Sequence, residues 1–218
     1  MNLPAVFSMK APVFRSARVR CLSLALPLCC FLVTSGCSLL PKAAVDPTRY
    51  YLLASTSPGG NAPAAGAPTL ILRPIDLANY LKSPAILVRK GSNEIEFHDY
   101  ARWGEPLDLG IGRVLREELI AGGGFGAVAG GGARGGSAEY SHELIVRVLA
   151  GEGASDGAVN FRAVWRLAKT DAPAVAVAGG DFRAADLRWD GKSESTLAAQ
   201  LSRAVSSLAA EISATVKK

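Results

Sequence analysis

Glu139-Tyr140-Ser141-His142-Glu143-Leu144-Ile145-Val146-Arg147-Val148-Leu149-Ala150 and Val159-Asn160-Phe161-Arg162-Ala163-Val164-Trp165-Arg166-Leu167-Ala168-Lys169 form the stretch that decides the fold. In the first segment Leu144, Val146 and Val148 share one side. In the second, Phe161, Ala163, Trp165 and Leu167 oppose Asn160, Arg162 and Arg166. Alternation with a period of two marks strands buried on one face and wet on the other. Gly151 to Gly157 then reads as the loop of a hairpin. Two long strands with one apolar face need another layer across that face.

The layer is legible on both sides of the hairpin. Leu197, Leu201, Val205, Leu208, Ile212 and Val216 recur at steps of three and four, an amphipathic helix. Ser193 suits its N-cap, Glu194 its first turn, and Lys217-Lys218 its last. Upstream, Leu107, Ile111, Val114, Leu115 and Leu119 predict a second helix from Pro106 to Ile120. Shorter strands are expected at Arg49 to Leu53, Thr69 to Pro74, Ala85 to Arg89 and Glu94 to His98, the last two joined by a turn at Lys90 to Asn93. Asp76 to Leu81 reads as a turn or helical piece, and Phe125 to Ala129 as a short strand in a glycine-rich run. Val175 to Val177 and Asp181 to Arg183 add one or two strands. The fold class is therefore α/β of the α+β kind: a mixed, largely antiparallel sheet with two principal helices packed on it, one domain over 49–218.

What precedes that domain is a targeting segment. Lys10, Arg15, Arg18 and Arg20 form a basic start, Cys21 to Gly36 is uncharged and apolar, and Val33-Thr34-Ser35-Gly36 is followed by Cys37. The apolar run, about 16 residues, is shorter than the ~20 a spanning helix needs, and Pro27 interrupts it. A basic n-region, an apolar h-region and a small-residue cleavage site make a secretory signal over 1–36. The cysteine after it resembles a bacterial lipobox, so Cys37 is expected to carry the lipid and 37–48 to be the tether. Met9 competes with Met1 as the start. Ser38, where an aspartate would resemble an inner-membrane retention signal, points to the outer membrane.

Cleavage there changes the charge. The whole chain carries +5, but the four basic residues before Cys37 have no acidic counterparts. Without them twenty basic residues face nineteen acidic ones, which leaves no footprint for nucleic acid. All four cysteines lie at or before Cys37. The domain has no disulfide, although its compartment would permit one, and must rely on its core.

No chemistry stands out. His98 and His142 lack neighbours at ligand spacing, so no metal or cofactor is expected. Ser141-His142-Glu143 has the residue types of a triad, but strand neighbours point to opposite faces. Gly130-Gly131-Gly132-Ala133-Arg134-Gly135 fits a dinucleotide fingerprint but leads into a strand rather than a helix. The distinctive run is Asp99 to Pro106. Tyr100, Arg102 and Trp103 suit an exposed recognition cluster, with Trp103 as a core anchor the competing reading.

Tyr80-Leu81-Lys82-Ser83-Pro84-Ala85-Ile86-Leu87-Val88-Arg89 and Tyr100-Ala101-Arg102-Trp103-Gly104-Glu105-Pro106-Leu107 resemble the ABC-type transport auxiliary lipoprotein family, the PqiC-like proteins. Gly104 departs from the alanine usual there. The resemblance implies a non-enzymatic accessory lipoprotein that docks a periplasmic MCE-domain assembly, with its ABC permease and ATPase, at the outer membrane for phospholipid transport. Residue by residue it carries over only the lipid attachment, onto Cys37; Tyr80, Arg102 and Trp103 are candidate partner contacts, with a homo-oligomer left open. The competing reading is a lipid-binding carrier lipoprotein, which would need an apolar pocket between sheet and helices.

Overall fold

The computed structural model describes residues 45–57, 66–130, 140–171 and 176–216. Among these described residues, nine strands and two long helices follow in the order β1 (Arg49–Tyr51), β2 (Thr69–Leu72), β3 (Asp76–Leu77), a 3-10 turn (Asn79–Lys82), β4 (Ala85–Arg89), β5 (Ile95–Trp103), α1 (Leu107–Ala121), β6 (Ala127–Ala129), β7 (His142–Ala154), β8 (Val159–Lys169), β9 (Ala176–Arg183) and α2 (Glu194–Val216).

The hairpin β7–β8 is the spine. Leu144 pairs with Leu167, Val146 with Trp165 and Val148 with Ala163, all buried on one face. β9 extends the sheet antiparallel to β8. The other edge of β7 receives three short strands in succession, all parallel to it: β2 at Leu70–Leu72, β3 at Asp76–Leu77 and β4 at Val88–Arg89. β6 continues beyond β2, while β5 and then β1 continue beyond β4. The sheet is mixed, with its long ladders antiparallel and its parallel joins short.

The hairpin loop is tighter than expected. β7 runs to Ala154, because an irregularity between Val148 and Ala150 shifts its phase and lets pairing resume through Gly153–Val159. Gly151 and Gly153 then face the core, where a Cβ on Gly151 would meet Leu81 and Val148. A Cβ on Gly153 would sit 2.8 Å from Trp189 Cε2 and 3.0 Å from Leu197 Cδ2. The missing side chain is what lets Trp189 lie against the strand. Ala176–Arg183 is one continuous strand. At its centre Gly180 leaves room for the Trp165 indole, whose Nε1 donates to Glu211 Oε1 on α2 at 2.9 Å.

The two helices pack on each other and cover one face of the sheet. α2 buries Leu197, Leu201, Val205, Leu208 and Ile212, as its periodicity requires. α1 buries Leu107, Ile111, Val114, Leu115 and Leu119. Pro106 stands at its N-cap, one place before the first turn, and supplies no side-chain cap. The opposite face of the sheet carries Arg147 and, on β8 and β9, Arg162, Arg166 and Arg183, all at least partly exposed. Asp76–Leu81 divides into β3 and the start of the 3-10 turn. No helix among the described residues is long and apolar enough to cross a membrane.

Candidate functional site

Arg102 and Trp103 are consecutive on β5 and therefore face opposite ways. Trp103 is buried in the core, and its backbone N–H donates to Pro84 O at 2.8 Å. Its structural reading holds. Arg102 is exposed and stands in register with Tyr50 on β1, itself 67% exposed. Tyr100, 61% exposed, lies two residues away on the same strand. Two of the three expected cluster members are thus on the surface, and Tyr50 is their added neighbour. Cys37 lies outside the described residues, as does most of the glycine run beginning at Gly130.

The turn from β5 into α1 builds a recess of about 470 Å³. Lys82, Ser83 and Pro84 form one wall and Trp103 to Asp108 the other. The sequence dictates this corner. Gly104 N–H donates to Tyr51 O at 2.8 Å, tying the turn to the edge strand. Glu105 Oε1 accepts from Arg113 Nη2 at 2.6 Å, and the same nitrogen reaches Leu53 O at 2.8 Å. That hydrogen bond to the Glu105 carboxylate raises the Arg113 pKa above its ordinary value. Glu105 and Arg113 thus tie the chain after β1 and the β5–α1 turn to α1, and Lys82, Asp76 and Asp108 give the recess a polar rim.

Tyr80 belongs to a separate place. Its hydroxyl lies 2.9 Å from Glu152 Oε2 and 3.1 Å from Leu149 O. Glu152 is only 1% exposed and also accepts from Arg89 Nε and Gly151 N–H, at 2.9 and 2.8 Å. Burial, the Glu152 charge and its hydrogen bond push the Tyr80 phenol up to about 12, so it remains a neutral donor. The three predicted contact residues therefore do not converge.

Two buried carboxylates escaped the sequence reading. Glu152 falls in the stretch whose sequence predicts a hairpin loop and which is strand. Glu118 occupies a position on the apolar stripe of α1, three residues after Leu115, and a charge in such a stripe is the signal that could have found it. Its oxygens accept from Ser55 Oγ, Thr56 N–H, Ser57 Oγ and Ser206 Oγ at 2.6–2.9 Å. Burial would raise its pKa, but these bonds outweigh it and hold the carboxyl at about 2. Glu118 therefore fastens the chain after β1 to both helices.

The triad residue types do not assemble. Ser141 precedes β7, so its Oγ comes within 2.9 Å of His142 Nδ1, a contact that strand alternation does not anticipate. The same hydroxyl donates to Thr69 O and accepts from Thr69 N–H, both at 2.9 Å. Glu143 turns away to pair with Arg73. Burial and nearby Lys169 lower the His142 pKa. His98 lies 2.8 Å from Glu194 Oε1 and ties β5 to the start of α2. No group of three His, Cys, Asp or Glu among the described residues could hold a metal. The described surface carries polar recesses on a packed frame.

Comparison with known proteins places this frame. The family model described as "ABC-type transport auxiliary lipoprotein component" matches residues 50–213. No curated protein matches the chain significantly. Among solved structures, a Xanthomonas campestris protein of family DUF330 is similar at 19% identity and TM-score 0.62, with 76% of this chain and 93% of that chain covered. An uncharacterized protein is similar at 17% identity and TM-score 0.60, covering 77% and 97%. These likenesses show a shared fold.

Proposed function

Because the chain belongs to the ABC-type transport auxiliary lipoprotein family, we propose that it is the non-enzymatic docking component of an intermembrane phospholipid transport system. In this reading Cys37 bears the lipid and holds the domain on the periplasmic face of the outer membrane. The domain engages the periplasmic MCE-domain protein of the system, and through it the ABC permease and ATPase.

The observation that carries the reading is the family match across 50–213, nearly all of the domain, together with the placement of its characteristic residues. Those residues build corners and recesses. Trp103, Glu105 and Pro106 fix the β5–α1 turn, and Arg102 with Tyr50 stays outside it. Trp, Tyr and Arg are the residue types that dominate binding hot spots. The docking reading is favoured over interior lipid carriage by the packing between sheet and helices. Leu144, Val146, Val148, Trp165, Leu201 and Leu208 fill that space, each no more than 5% exposed.

The test is affinity purification of the full-length chain from detergent-solubilised membranes. Recovery of an MCE-domain protein without stoichiometric phospholipid supports docking. Stoichiometric phospholipid without an MCE protein would replace it with the carrier reading.

A further inference from the structure

Arg162 on β8 and Arg183 on β9 are direct cross-strand partners, with Phe161 and Phe182 pointing to the opposite, core side. Like charges set directly opposite each other destabilise a sheet. One carboxylate serves both: Asp181 takes Arg162 through Nε at 2.9 Å and through Nη2, and lies 4.0 Å from Arg183 Nε. Arg183 remains 68% exposed and keeps most of its donors. These two guanidinium groups form one wall of a groove of about 480 Å³ on the face that the helices leave open.

The facing wall is Tyr80 and Arg89. Arg89 Cζ lies 6.0 Å from the Tyr80 ring centroid, and both side chains are fixed by the buried Glu152. Three guanidinium groups and the Asn160 amide thus border one groove against two carboxylates, Glu152 and Asp181, whose oxygens are largely committed to bonds already made. Arg183 keeps a fork that matches the oxygens of a phosphate, while Arg162, held on Asp181, and Arg89, held on Glu152 and Ser92 O, add positive charge in fixed positions and leave their remaining N–H groups to the groove.

We propose that this groove binds a phosphate-bearing anion, held by Arg183 and Arg162 on one side with Arg89 adding charge on the other. The site stands on its own geometry. Assigning the anion to a phospholipid headgroup rests on the transport reading above, and a soluble phosphate compound is the other source of the same chemistry.

The full-length chain in a neutral detergent would be titrated calorimetrically with inorganic phosphate and, separately, with dihexanoyl phosphatidylglycerol. Saturable binding of the lipid identifies the headgroup as the source, and binding of phosphate alone identifies a soluble anion. Either result supports the site. Arg183→Gln should weaken binding at least about tenfold, the scale of one lost charge-assisted contact. Without ligand it should melt no lower than wild type, since it removes the opposed charge. Arg162→Gln should weaken binding similarly, and Arg147→Gln, paired with Asp76 elsewhere on the sheet, should leave it unchanged. No saturable binding of either probe, or wild-type affinity in both groove variants, would overturn the proposal. Recovery of the MCE protein is scored separately, so the site and the docking reading can fail independently.

Discussion

Glu118 shows how one residue can hold a fold without joining its core. Its carboxylate accepts only from neutral donors, so its stability contribution depends on the negative charge. The folded pKa, about 2, lies below the ordinary value of 4.5. The contribution is therefore complete above about pH 4.5 and is lost as pH falls toward 2. A shift of this size corresponds to roughly 3 kcal/mol. Glu118→Gln should cost about 2–3 kcal/mol at pH 7. In denaturant melts between pH 5 and 2.5 the variant should show a shallower acid slope than wild type; parallel slopes would refute the assignment. At β5 the contrast lies between neighbours. Trp103→Ala should destabilise by about 3–5 kcal/mol through cavity formation. Arg102→Ala should leave the melting temperature nearly unchanged while reducing capture of the MCE protein, and equal loss of both would return Arg102 to a structural role. The strand expected at Glu94 to His98 runs on to Trp103, and this extension, which turns Arg102 outward and Trp103 inward, was not legible in the sequence. Nor was the distance of Tyr80 from them, because a shared sequence motif carries no information on which surface each side chain reaches.

At the scale of elements, legibility followed locality. α2 matched its stepped apolar stripe, and Leu144, Val146 and Val148 paired as alternation required. The parallel attachment of β2, β3 and β4 along one edge of β7 was invisible, since parallel neighbours are brought together by tertiary contacts rather than by an adjoining turn. The bulge near Leu149 was equally hidden, and it turned an expected loop into strand with two inward glycines. Gly153 is the sharper test of that geometry. Gly153→Val must displace Trp189 or Leu197, a cost of about 1–3 kcal/mol. In a domain of this size that lowers the melting temperature by about 2–12 °C. Gly91→Ala, with nothing within 4 Å of its new Cβ, is the control and should melt close to wild type.

For the whole molecule, the charge and cysteine pattern separate two parts with different tasks. The basic excess and all the cysteines sit at or before Cys37, and the domain that follows is nearly neutral. Its recesses line the outside, while the helix–sheet interface is closed by packing. In the proposed function such a domain acts through where it is held and what it touches. Cys37→Ser should abolish lipid attachment and release the protein from the membrane fraction, or leave it unprocessed. Fractionation indistinguishable from wild type would reject the anchor.

The most direct measurement of the docking claim is purification of the full-length wild-type chain from solubilised membranes, with mass spectrometry of the proteins and phospholipid that accompany it. The account predicts an MCE-domain protein in near-stoichiometric amount, greatly reduced with Arg102→Ala, and substoichiometric phospholipid. Recovery of stoichiometric phospholipid with no MCE-domain protein would contradict it.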